Sequence, residues 1–327
     1  MDIRLLKAFL FILFTVIGIP GNIYIVLKFS ITRIIEKKLL PNNIILTVLA
    51  LANLFIVFSR VIPQSLHAVG LQNLFDDANC KLFGYTYRVS RSMSICSTSL
   101  LSCHQCILIA PNVKLWGYLK QKVSQNILII IIAILLMNLA LYRTSFMYAN
   151  AIKNSTSPYT LHLVYCDTDF LTYVSYITNG IVFATRDFLF VGMMALASCY
   201  IVYTLLHHQR TIKGIRSSDK IQRRSVEYKA SRAVILLVVF YVLLYGLDNC
   251  MWIYTLTLSN VKPDTNDARV VLSCAYSALS PILIISTNPK LQQWAKVSLW
   301  RDQTKSTNSS HLYCISKNFE GQISLHA

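Results

Sequence analysis

Acidic side chains are scarce in this chain: Asp and Glu together fill 14 of 327 positions, and only 14% of residues carry any charge. A soluble domain carries about a quarter, so this composition excludes a surface that faces water all round. Glycine (10) and proline (8) are also few, so long regular segments run with little to break them. The chain has no internal repeat, which speaks against a transporter built from paired halves. The period-2 alternation of a membrane barrel is missing too. No two pairs of Cys or His stand at zinc spacing. His207-His208 is an adjacent pair with no third ligand near it, and no Ser/Asp dyad stands out. No metal, cofactor or enzymatic activity is expected.

What fills the chain instead is apolar: 54% of residues are hydrophobic and the mean hydropathy is +0.50. Seven stretches are long enough to cross a bilayer, at about 5–29, 42–62, 82–109, 124–149, 173–206, 230–257 and 268–287. A helix needs about 20 residues to cross a hydrocarbon core of roughly 30 Å. Backbone groups in lipid must pair internally, so each stretch is read as a helix. The expected fold is an all-α membrane protein, a bundle of seven transmembrane helices. One domain covers 1–300 and ends in a short membrane-surface helix at 290–300, where Leu291 to Trp300 has apolar residues at helical spacing. Residues 301–327, rich in Ser, Asn and Lys, read as a disordered cytoplasmic tail. The first apolar run is too long for a cleavable signal peptide and serves as the insertion signal itself.

The formal charge of +17 points toward nucleic acid only until its placement is considered. Arg33, Lys37 and Lys38 lie in the first connection, and Lys114, Lys120 and Lys122 in the third. The fifth, 207–229, is the richest, with Arg210, Lys213, Arg216, Lys220, Arg223, Arg224 and Lys229. The even-numbered connections are nearly base-free. Short basic loops stay cytoplasmic, which puts the N-terminus outside and the C-terminus inside, against the minor pull of Arg4 and Lys7. The charge thus sets topology and draws anionic lipid to the inner face; no nucleic-acid partner is expected.

That topology sorts the cysteines. Of nine, only Cys80 and Cys166 fall on the outer face, where an oxidising exterior allows a disulfide. The sequon Asn154-Ser155-Thr156 lies in the same connection as Cys166, so Asn154 is a glycosylation candidate, whereas Asn308-Ser309-Ser310 lies in the cytoplasmic tail and stays bare. Pro20-Gly21-Asn22 sits inside the first span, where Asn22 needs a helix-borne partner; Asn53 in the second span is the expected one. Pro63 and Pro111 mark the ends of the second and third spans, and Pro281 kinks the seventh.

Gly21-Asn22, Cys80 at the head of the third helix and Cys166 as its partner resemble the rhodopsin-like G-protein-coupled receptors. Where those receptors carry Asp/Glu-Arg-Tyr, this chain has His104-Gln105-Cys106. Where they carry Asn-Pro-x-x-Tyr, it has Ser280-Pro281 followed by Asn288-Pro289. With Ser99, Ser102, Ile109-Ala110-Pro111, Tyr87-Arg88-Val89-Ser90-Arg91, Arg186-Asp187, the run Met193 to Tyr200, and Lys229-Ala230-x-Arg232-Ala233, these departures look like the vomeronasal type-1 pheromone receptors and their fish olfactory relatives. The resemblance covers most of 15–300. It implies a plasma-membrane receptor of chemosensory neurons that binds a small chemical cue and acts through a heterotrimeric G protein of the inhibitory type. Bitter-taste receptors are the nearest alternative, but they usually lack a bridge of the Cys80–Cys166 type.

Ionisable groups within a span are costly and mark candidate sites. Tyr87, Arg91, Ser94 and Thr98 share one face of the third helix, with Arg88 beside them. The planar fork of Arg91 suits an anionic ligand; the alternative is an internal ion pair with Asp187 or Asp248. Arg186 and Asp187, adjacent on the fifth span, are expected to point apart. Tyr245, Asp248, Asn249 and Trp252 line one side of the sixth. At the inner face, His104, Gln105, Arg223, Arg224, Lys229 and Arg232 are the candidates for coupling to the G protein.

Overall fold

The computed structural model describes residues 3–37, 40–71, 75–110, 114–151, 160–162, 166–169, 172–212, 233–248, 250–251, 263–288 and 291–292. The chain divides into two units, Met1–Ile284 and Ile285–Ala327. The second is described only at 285–288 and 291–292, where the Leu291 and Gln292 amides both donate to the Asn288 carbonyl at 3.1 Å. The expected surface helix beyond 292 and the tail lie outside the described residues.

Among the described residues, six helices are long and apolar enough to cross a membrane. They are α1 (Ile3–Glu36), α2 (Pro41–Ala68), α3 (Asp77–Ile109), α5 (Ile127–Tyr148), α6 (Tyr173–Ile212) and α8 (Pro263–Thr287). The sixth expected span appears as α7, described over Ala233–Asp248. The basic helix α4 (Lys114–Gln125) lies in the third connection. A helix of 33 residues is about 50 Å long, so α3 overshoots the hydrocarbon core at its ends. It is also the most enclosed: 67% of its apolar window is buried, against 11% for α6, whose outer surface meets lipid. Small polar residues make this enclosure possible. Ser90, Ser92, Ser94, Ser97, Thr98, Ser99 and Ser102 are all buried along α3, and their size lets neighbouring backbones approach.

The end expected at Pro63 is not an end. Helix α2 runs on to Ala68 through a π-helical stretch, Val57–Val61. Pro63 has no N–H to offer the carbonyl of Ser59 and its ring crowds that turn. One wider turn absorbs the mismatch: the Ile62 amide donates to the Val57 carbonyl, five residues back. Pro111 lies outside the described residues, but α3 does end just before it, at Ile109.

Asn22 and Asn53 are both fully buried, yet they do not bond each other as expected. Each reaches α8 instead. Asn22 Nδ2 donates to the Gly18 carbonyl (2.8 Å) and to the Ser277 carbonyl (3.1 Å). The Ser277 carbonyl is the one Pro281 orphans, since proline cannot donate back four residues. The Asn22 amide therefore replaces the bond that Pro281 removes. Gly21 makes the approach possible, because a Cβ there would stand 2.7 Å from the Pro281 ring. Asn53 Nδ2 donates to Ser280 Oγ (2.9 Å) while its Oδ1 accepts from Ser94 Oγ (2.7 Å), tying α2, α3 and α8 together. Phe11, Phe14, Val57, Val61, Val270 and Ala278 form an apolar cluster of α1, α2 and α8.

On the outer side, β1 (Ala149–Asn150), β2 (Thr160–His162) and β3 (Asp167–Asp169) form an antiparallel sheet in the order β1-β3-β2. The disulfide Cys80–Cys166 joins it to α3, with the Cα atoms 5.7 Å apart. Asp77 adds a second tether, its Oδ1 accepting from the Ala151 amide at 2.7 Å. Asn154 falls outside the described residues.

Because Asn22 answers for Pro281, the two substitutions should be strongly coupled. Asn22→Leu alone is expected to destabilise by about 1–3 kcal/mol, the cost of an unpaired buried carbonyl. In a Pro281→Ala background the restored amide bonds Ser277 itself, and most of that loss should vanish. Thermal unfolding of the four variants in lipid nanodiscs measures the coupling; additive losses would contradict it.

Candidate ligand-binding cleft

A cleft opens between α3, α7 and α8 in the outer half of the bundle. Its wall is Ile56, Leu244 and Leu272 on the apolar side and Tyr241, Tyr245 and Tyr276 on the aromatic side. Ser94, Ser273 and Ser277 add hydroxyls, and Arg91 and Asp248 supply charge. This is the usual make-up of a small-molecule site, apolar with a few convergent polar groups.

The charged pair decides the geometry. Arg91 Nη2 donates to Asp248 Oδ2 at 2.6 Å, so Asp248 rather than Asp187 is the partner. Arg91 Nη1 also donates to Tyr87 Oη (3.2 Å), and its guanidinium lies 5.8 Å from the Tyr245 ring centroid. Tyr87 Oη donates in turn to Ser273 Oγ (3.4 Å), and Thr98 Oγ1 meets Tyr276 Oη at 3.0 Å. The four residues predicted to share one face of α3 thus all turn inward. Tyr241 stacks on Tyr245 at 5.6 Å and meets Tyr276 edge-on at 4.6 Å, which sets the back of the cleft.

Asp248 has a second cation beside it. Arg269 Nε, one turn outward from Ser273 on α8, stands 3.9 Å from Asp248 Oδ1, an ion-pair distance too long for a hydrogen bond. Two guanidiniums therefore share one carboxylate at the mouth of the cleft. Arg60, buried on α2, lies 5.1 Å from the Tyr87 ring on the far side. Neither Arg60 nor Arg269 is among the residues expected from the sequence, although both sit within or at the edge of an apolar span. The cost of charge in a membrane that marks Arg91 applies to them equally.

A second polar knot holds α3 to α5 and α6. Contrary to expectation, Arg186 and Asp187 do not point apart: Arg186 Nη2 donates to Asp187 Oδ1. Adjacent helix positions diverge at Cβ, but the long arginine chain folds back across that gap. Its Nη1 donates to Ser92 Oγ and, at 2.6 Å, to Asn138 Oδ1, while Ser92 also bonds Asn138. Asn138 is fully buried; a lone amide within the apolar run Ile127–Leu141 is the signal that could have found it. Arg186 and Asp187 are not among the residues that line the cleft.

Tyr245 and Asp248 line the cleft; Asn249 and Trp252 lie outside the described residues. At the inner end, His104 and Gln105 are each 4% exposed. Both are enclosed in the bundle, out of reach of a cytoplasmic partner in this conformation. Arg223, Arg224, Lys229 and Arg232 are outside the described residues.

The model of the vomeronasal organ pheromone receptor family matches residues 6–297. The chain is 37% identical to "Olfactory receptor class A-like protein 1" of Danio rerio, over 88% of this chain and 90% of that one. It is 29% identical to "Vomeronasal type-1 receptor 90" of Rattus norvegicus, over 90% and 95%. Among solved structures, squid rhodopsin is similar in fold, with a TM-score of 0.67 at 16% identity over 89% of this chain and 84% of that one.

The Arg91–Asp248 pair should behave as a structural bond. Asp248→Ala leaves Arg91 without its carboxylate and is expected to cost on the order of 3 kcal/mol. Arg91→Met combined with Asp248→Leu should recover more than half of that in thermal unfolding, because no charge is left to solvate. A double variant as unstable as Asp248→Ala would show that the pair does not hold the helices.

Proposed function

The chain belongs to the vomeronasal organ pheromone receptor family, and on that premise we propose that it detects a small organic anion in the outer cleft and passes the signal to a heterotrimeric G protein of the inhibitory type. It is a chemosensory G-protein-coupled receptor, a multi-pass protein of the plasma membrane and not an enzyme. The ligand's charge, the class of G protein and a place in chemosensory neurons go beyond that membership.

One observation carries the ligand reading: Arg91 and Arg269 face a single carboxylate, Asp248, at distances of 2.6 and 3.9 Å. Among the described residues Arg91 hydrogen-bonds Asp248, whereas Arg269 meets the same carboxylate only at ion-pair distance. A guanidinium stays charged at any physiological pH and offers planar paired donors. An anionic head group beside Arg269 would balance the cleft, while the rings of Tyr241, Tyr245 and Tyr276 would cover an apolar or aromatic body. Binding shifts the receptor only through a difference in affinity between its inactive and active states. The Arg91–Asp248 bond between α3 and α7 is suited to transmit that difference, because it joins the innermost helix to the one that continues from the basic fifth connection.

The test pairs each candidate acid with its neutral amide on cells that express the receptor and a calcium-coupled promiscuous G protein. An acid that activates should lose about tenfold or more in potency as the amide, the worth of one charge-assisted hydrogen bond. Arg269→Gln should erase the difference between the two at unchanged surface expression. Equal potency of acid and amide on the wild type would reject an anionic ligand. With an inhibitory G protein supplied instead, pertussis toxin should abolish the response.

A further inference from the structure

The two oxygens of the Asp248 carboxylate are treated differently by the cleft. Oδ2 accepts from Arg91 Nη2 at 2.6 Å. Oδ1 is buried and has no hydrogen-bond partner among the described residues, and its ion-pair neighbour, Arg269 Nε, stands 3.9 Å away. A hydrogen bond between a guanidinium and a carboxylate is about 2.7–2.9 Å long. Arg269 therefore lends Oδ1 charge without lending it a proton. An acceptor left in this state inside a protein is costly.

The wall of the cleft does not supply the donor. Asp248 is part of that wall, together with Ser273. The Ser273 hydroxyl donates to the Val270 carbonyl at 2.9 Å, and Tyr87 Oη donates to Ser273 Oγ. Arg88, the other arginine expected at this site, is half-buried on α3; among the described residues it neither lines the cleft nor pairs with Asp248. The Arg269 side chain is 25% exposed, against 6% for Asp248, and gives up no hydrogen bond among the described residues when it turns toward an incoming acid group.

We propose that the ligand brings the missing donor, a hydroxyl or amide N–H on the carbon next to its acid group, so that the cleft selects 2-hydroxy and N-acyl-2-amino acids. This rests on the reading of the ligand as an organic anion held by Arg269. The spacing sets the position of the donor. Arg269 Nε and Asp248 Oδ1 are 3.9 Å apart. An acid oxygen on the first and a donor on the second, each at a hydrogen-bond length of about 3 Å, lie roughly 3–4 Å from each other. A donor on the adjacent carbon meets that span, and one on the far side of a benzene ring does not. An acid without the donor leaves Oδ1 unpaired when it binds, which is how a polar site rejects an analogue that lacks one group. The same carboxylate then joins the ligand at Oδ1 to the bond between α3 and α7 at Oδ2.

Four probes test this: 2-hydroxy-3-phenylpropanoic acid, 3-phenylpropanoic acid and the methyl ester of each. Purified receptor in lipid nanodiscs is titrated with them, and the half-saturating concentration is read from the rise in unfolding temperature. The hydroxyl should lower that concentration about tenfold in the acids, the worth of a hydrogen bond to a charged group. The 2-methoxy acid, which has the oxygen but no proton, should gain nothing. Arg269→Gln should remove the difference between acid and ester and keep the gain from the hydroxyl. Arg91→Met combined with Asp248→Leu should do the reverse; if that double variant does not fold, the wild-type titrations decide. Equal half-saturation with and without the hydroxyl would overturn the donor subsite, and would leave the anion reading standing wherever acids still surpass esters. A hydroxyl gain with acid and ester equal would reject the anion reading and keep the subsite. No shift by the hydroxy acid at millimolar concentration would overturn both.

Discussion

A guanidinium cannot give up its proton inside a bilayer, and the outer half of this protein is arranged around that constraint. Arg91 is answered by Asp248 across the bundle, which fixes α7 against α3. Arg186 is answered by Asp187, Ser92 and Asn138, which fixes α6 and α5 on the opposite side of the same helix. Helix α3 is thus held between two ionic knots, one open to a cleft and one closed. The open knot is where a second cation, Arg269, leaves charge unbalanced. On the proposed reading, that imbalance marks the open knot as the recognition site and leaves the closed knot to hold helices together.

The layer next to the cleft, which shares Ser94 and Ser277 with its wall, uses a different chemistry. Around Asn22 and Asn53, amides and hydroxyls rather than charges tie α1, α2, α3 and α8. Asn22 bonds the carbonyl that Pro281 frees, and Asn53 spans from Ser94 to Ser280. Hydrogen bonds of this kind are worth less individually than a buried ion pair costs to break. They can be exchanged without leaving a bare charge. A bundle tied by charge at the cleft and by exchangeable hydrogen bonds beside it is suited to relaying a small change in the cleft.

Much of this is legible in the residues, because lipid enforces simple rules. Span number, orientation and the Cys80–Cys166 bridge follow from apolar length, loop charge and compartment. The inward face of Tyr87, Arg91, Ser94 and Thr98 follows from helical spacing alone. What the residues do not reveal is which of several permitted partners each polar group takes. Residue type points Asn22 to Asn53, but the backbone carbonyl at Ser277 is the stronger claimant, and an orphaned carbonyl has no letter in the sequence. Pro63 reads as a stop, because a π-helical turn that absorbs a proline leaves no compositional trace. The angle between adjacent Cβ atoms separates Arg186 from Asp187, yet the arginine chain has further rotatable bonds that close the gap. Arg60 and Arg269 escape notice because both lie near the ends of apolar spans, where charge is common.

A cryo-electron-microscopy map of the receptor bound to an activating organic acid measures the charge imbalance at its source. The acid group is expected within hydrogen-bond distance of Arg269, with the Arg91–Asp248 bond intact beside it. An acid group seated on Arg91 with Asp248 displaced, or a ligand whose charged end lies away from both arginines, would contradict a cleft organised around one shared carboxylate.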